Sequence, residues 1–149
     1  MDQDAYHKTY HSMNERFCLF EKGILASQCR CCQSERFYLA ERIGVHCASD
    51  EGQLRCKELL ELLRHHARFT LKNHSKGALP HGQAIRIQIG GLRGVHSVLK
   101  EEKPPLCIED VYNLLKQAAE TFDSLDHLPF QEVIKQVAAY KGRSRRSKS

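Results

Sequence analysis

The sequence predicts an α+β fold: a mostly helical compact domain with a small antiparallel β-hairpin and an N-terminal cysteine-rich metal-binding segment. Three observations predict it. Six of the seven cysteines fall between Cys18 and Cys56. Residues 51–73 carry apolar side chains at helical spacing, and residues 84–99 combine a period-two run with a glycine-rich reversal. A chain of 149 residues suits one globular unit, expected over 1–141, with residues 142–149 as a disordered basic tail.

In chain order, residues 5–16 are polar and offer at most a short helix. Residues 17–56 form the cysteine-rich segment, opening as an irregular loop over 17–34. The stretch 36–43 reads as a strand or a helical turn that Gly44 ends. The main amphipathic helix follows over 51–73. Asp50 with Gln53 reads as its capping box, each side chain satisfying a backbone N–H that the first turn leaves unpaired. At about 100° per residue, Cys56, Leu59, Leu60, Leu63, Ala67, Thr70 and Leu71 share one core-facing stripe. Next, Ala84-Ile85-Arg86-Ile87-Gln88-Ile89 alternates apolar and polar, and Gly90-Gly91-Leu92-Arg93-Gly94 can reverse the chain, so a hairpin is expected over 84–99. Apolar residues from Ile108 to Phe122, and a run opening at Pro129, predict two helices within 108–140.

The cysteines carry the chemistry. Short-spaced cysteines in a reducing compartment more often ligate metal than form disulfides, and an odd total argues against a closed disulfide framework. Cys29 and Cys32 make a C-x2-C pair able to grip one metal from a tight turn. Cys47 and Cys56, at the start of the main helix, supply the remote pair. The helix dipole is expected to lower their thiol pKa values and favour ligation. The expected ligand set is therefore Cys29, Cys32, Cys47 and Cys56, with Cys18, Cys31 and His46 as alternates. The cofactor is an iron–sulfur cluster or zinc, and the adjacency of Cys31 and Cys32 leans toward iron–sulfur. Cys107, in another segment, reads as structural. The cluster is loosely similar to small bacterial cysteine-cluster proteins that chelate zinc or iron, over residues 18–56 only, a resemblance that carries no function across.

Charge is sorted along the chain. Residues 1–61 hold 8 Lys/Arg against 10 Asp/Glu, and residues 101–140 hold 3 against 8. Residues 62–100 hold 7 bases and no acid, and the terminal run from Lys141 holds 5 bases. The central block predicts a polyanion-binding face of Arg64, Arg68, Lys72 and Lys76 at spacing four, joined by Arg86 and Arg93 on the expected hairpin. Its partner would be nucleic acid or an acidic protein surface, through phosphate-type contacts, because Phe69 is the only aromatic residue in the block. The glycine-rich run lacks the Lys-Ser/Thr of a P-loop, and no nucleophile or carboxylate constellation stands out. No apolar run approaches the roughly 18 residues of a membrane span, and no secretory signal is visible, so a cytoplasmic location is expected. These readings predict a non-enzymatic, metal-binding accessory or regulatory protein. The competing class is a redox protein or enzyme that uses the cysteines for electron transfer or thiol–disulfide exchange.

Overall fold

A computed structural model of the chain describes residues 16–72, 77 and 79–141. Lys76, the polar stretch 5–15 and the basic tail 142–149 lie outside the described residues. The fold is mostly helical with one two-stranded antiparallel hairpin, so the α+β reading holds. The hairpin, however, is β1 (Ser34–Leu39) with β2 (Arg42–Cys47), in register Ser34 to Cys47 and Leu39 to Arg42. Its two-residue turn puts Ala40 and Glu41 at φ 48° and 66°, the left-handed pair that matches strand twist.

A short helix, α1 (Glu21–Leu25), interrupts the stretch expected as a loop. The main helix, α2 (Asp50–Leu71), stands where the periodicity put it and buries Leu59, Leu63, Ala67 and Leu71. Its cap differs from the expected one. Ser49 is the N-cap, its Oγ accepting from the Gly52 N–H at 2.9 Å, while Asp50 pairs with Arg16 at 2.6 Å. The Gln53 side chain donates to the Phe17 carbonyl at 2.8 Å and ties the incoming chain to α2. Lys72 adopts the left-handed conformation and ends the helix.

The expected 84–99 hairpin is overturned. α3 (His81–Ile85), a π-helical segment (Arg86–Gly90) and α4 (Gly91–Lys100) run on without a break, with right-handed helical backbone at every junction. The alternation of Ile85, Ile87 and Ile89 belongs to a helix buried nearly all round, where Ile87, Gln88, Ile89 and Gly90 are consecutively buried. The wider π turn accommodates four successive inward residues. The glycines serve a helix crossing rather than a chain reversal. A Cβ on Gly94 would stand 2.5 Å from the Val133 carbonyl oxygen, and one on Gly90 would stand 2.7 Å from the Val137 Cα. Both faces lie against α6 (Phe130–Ala139), which with α5 (Val111–Thr121) supplies the two expected C-terminal helices. The core sits among α2, the π segment, α4, α5 and α6, with Leu59, Leu63, Ile89, Leu92, Leu115 and Val133 almost fully buried. No helix among the described residues is long and apolar enough to cross a membrane.

Candidate metal centre

Four cysteines from four separate places in the chain line one cavity: Cys18, Cys31, Cys47 and Cys56. Each is positioned by backbone pairing. Residues 16–18 lie antiparallel to β2, with Cys18 N–H donating to the Val45 carbonyl at 2.9 Å and Cys47 N–H to the Arg16 carbonyl at 2.8 Å. Phe17 therefore pairs with His46. Strand alternation puts Cys18 and Cys47 on one face as diagonal neighbours and turns His46 to the other. Cys31 is held by the loop over 28–33. Arg30 N–H donates to Ile108, Val111 N–H donates to Arg30, and the Cys31 carbonyl accepts from the Ser34 hydroxyl at 2.8 Å. Those bonds set the Cys31 thiol against the N-terminus of α5. Cys56 reaches the cavity from the second turn of α2.

The remaining walls are Phe20, Ile24 and Val111, all buried, with Leu19, Gln33, Ser34, Gly52, Gln53 and Tyr112. Gly52 is required by close approach, since a Cβ there would meet the Tyr112 ring at 2.9 Å. About 20 Å³ of the cavity is open to water, room for about one molecule.

Burial dominates the electrostatics. It pushes the Cys18 thiol up to about 12, and it raises Cys56 and Cys31 as well, with the neighbouring cysteines adding to the rise. The expected lowering at Cys56 by the helix dipole is thus reversed, because a thiolate in an apolar cavity loses more hydration than the dipole returns. Backbone amides oppose that rise. The Phe20 N–H favours a thiolate at Cys18, and the N–H groups of Gln33 and Tyr112 favour one at Cys31. The Cys47 thiol donates to the Ser49 carbonyl at 3.2 Å. A soft cation would replace these protons and offset the desolvation, as thiolate ligation requires.

The expected ligand set is only half assembled. Cys47 and Cys56 line the cavity, whereas Cys29 and Cys32 do not. Cys29 is wholly buried, its thiol raised by burial first, while the chain beside it pairs with Ile108. Cys32 is exposed on the other side of the loop, its N–H donating to the Asp110 carboxylate at 3.0 Å. The alternates Cys18 and Cys31 line the cavity beside Cys47 and Cys56. The adjacency of Cys31 and Cys32 was the available signal, since neighbouring side chains diverge and only one enters a shared site. Among the described residues, no three His, Cys, Asp or Glu side chains converge closely enough to hold one metal ion.

The basic face is smaller than expected. Arg86 donates to the carbonyls of Val137 and Ala138, both at 2.8 Å, closing the C-terminus of α6. Arg93 donates to the Leu106 carbonyl at 2.9 Å and stacks over the Tyr140 ring. Both guanidiniums are committed to the fold. Arg68 remains exposed on α2 and Lys72 at its left-handed C-cap, with Arg64 half-buried and donating to the Gly77 carbonyl.

No family model, curated protein sequence or solved structure matches the chain.

Proposed function

We propose that the protein is a non-enzymatic accessory protein that holds a metal centre, zinc or an iron–sulfur cluster, through Cys18, Cys31, Cys47 and Cys56. The observation that carries this reading is the shared, water-poor cavity that the four thiols line. Amide N–H groups face the Cys18 and Cys31 sulfurs, the kind of hydrogen bond that stabilises metal-bound thiolates. Four protein ligands leave no open coordination position, which argues for a structural, sensing or electron-carrying role and against Lewis-acid catalysis.

The docking part of the proposal rests on α2, where Arg64, Arg68 and Lys72 lie at spacing four toward the C-terminal end. A polyanion would be held there by charge rather than by base recognition.

Anaerobic purification with iron, sulfide and zinc analysis tests the centre. The protein should carry stoichiometric zinc if colourless, or iron and acid-labile sulfide in equal amounts if brown. Single serine variants at Cys18, Cys31, Cys47 and Cys56 should each lose most of the bound metal, while Cys32→Ser, Cys107→Ser and Cys29→Ala keep it. Protein with neither metal would refute the centre, and metal loss in Cys32→Ser would refute the ligand set.

A further inference from the structure

The C-terminal end of α2 joins exposed positive charge to an exposed aromatic ring. Glu61 is the last acid before it, and from Leu62 to Lys100 the chain holds 7 bases and no acid. Arg68 and Lys72 are exposed there, and Arg64 stands one turn earlier, half-buried against Gly77. Four residues of helix advance about 6 Å, so the cations step along the surface at an interval close to that between neighbouring phosphates of an extended strand. Phe69 lies beside them with 70% of its surface exposed. One exposed apolar residue is ordinary in itself. Its surroundings single it out, because the Arg68 guanidinium lies 5.1 Å over the Phe69 ring and extends it with a second planar, positively charged group. The other rings of this stretch are engaged with the fold. His66 stacks on Phe130 at 4.1 Å, and His65 meets His66 edge-on at 5.1 Å.

An acidic protein segment would match the cations and leave the ring without a complement. A nucleotide matches both, because its phosphate is joined through one sugar to a flat aromatic base. In a duplex the bases stack on one another and are closed to a side-chain ring, so a single strand alone can use Phe69. We propose that the C-terminal end of α2 binds single-stranded nucleic acid, with Arg68 and Lys72 on its phosphates and one base stacked on Phe69. The inference rests on the docking reading above and deepens it, and it does not depend on the metal centre. Stacking is tolerant of base identity, so the preference is for an unpaired strand and not for a sequence.

The test follows fluorescence anisotropy of three labelled probes of equal length with the full chain as purified. The probes are oligothymidylate, the same phosphate chain with abasic sites in place of the bases, and a duplex, each challenged with polyglutamate. The parent should bind oligothymidylate about tenfold more tightly than the abasic strand at one salt concentration. Phe69→Leu should weaken oligothymidylate binding about tenfold and leave the abasic strand and the duplex unchanged. Its salt slope should match the parent's, because no charge is removed. Phe69→Trp should bind oligothymidylate at least as tightly as the parent. Equal affinity of the parent for oligothymidylate and the abasic strand overturns the stacking, as does a Phe69→Leu protein that binds oligothymidylate like the parent or loses all three probes equally. Salt-dependent binding of the parent in those cases leaves the docking reading standing. If Phe69→Leu does not fold, the comparison of oligothymidylate with the abasic strand decides alone. A parent that binds none of the probes, or releases all of them to polyglutamate, points to an acidic protein partner and overturns this inference.

Discussion

Replacing Gly94 by alanine should destabilise the protein, although alanine is the better helix former. Two effects oppose each other. In a helix interior, alanine is favoured over glycine by about 1 kcal/mol. Against this, the new Cβ would stand 2.5 Å from the Val133 carbonyl oxygen and 2.8 Å from both its Cα and Cγ1. Two of those three atoms are backbone, so no rotamer change relieves the clash, and α4 must move off α6 as a unit. Overpacking in a tight core costs about 1–3 kcal/mol, and a backbone clash belongs at the upper end. The net loss is therefore about 2 kcal/mol, or a fall in Tm of roughly 4–8 °C for a domain of this size. Gly82 provides the internal control. It lies in α3 with nothing within 4 Å of its ideal Cβ, and it is exposed. Gly82→Ala should raise stability by about 0.5 kcal/mol through the unfolded chain. Thermal and urea melts of both variants, at the same metal content as the parent, make the comparison. A Gly94→Ala protein that melts at or above the parent would show that the crossing tolerates a methyl group and that the glycines have another purpose.

Ser49→Ala removes the oxygen that accepts from the Gly52 N–H and should cost about 1 kcal/mol, read as a shift in urea midpoint at unchanged slope. Metal-free protein should show a marked pH dependence. Because burial raises the Cys18 thiol from 9.0 to about 12, the folded state holds its proton after the unfolded chain has released one. Stability from this source is complete below about pH 9 and is lost as pH rises toward 12, so the urea midpoint should fall over that interval. A flat profile there would mean that the thiol is not buried in the folded chain. The triple variant Arg64→Ala, Arg68→Ala, Lys72→Ala should weaken binding to an unspecific nucleic-acid duplex and flatten its salt dependence by about one slope unit per charge removed. Equal binding of parent and variant at every salt concentration would rule out this face as the polyanion contact.

Local pattern determined the helices whose apolar stripe is long. Asp50–Leu71, Val111–Thr121 and Phe130–Ala139 each repeat at 3.6 residues over about three turns or more, and one core-facing stripe is enough to specify them. The cysteine clustering and the segregation of charge were equally plain, because composition along a chain needs no partner to be read. Where a residue's meaning depends on what packs against it, the sequence alone pointed elsewhere. Six alternating residues from Ala84 suit a half-buried strand, and the same residues suit a helix covered on nearly every side. Only the close passage of α6 over Gly90 and Gly94 separates the two. The true hairpin was obscured because its turn uses Ala40 and Glu41 in a conformation that Asn-Gly or Asp-Gly would have advertised. Arg86 and Arg93 look free in sequence and become structural because carbonyls of Val137, Ala138 and Leu106 arrive from distant segments. At the centre, spacing favoured Cys29 with Cys32, the pair that a short turn closes at least entropic cost. Tertiary structure instead gathers Cys18, Cys31, Cys47 and Cys56, because the pairing of residues 16–18 with β2 and of the 28–30 loop with Ile108 decides which sulfurs face inward, and sequence separation carries no information about that direction.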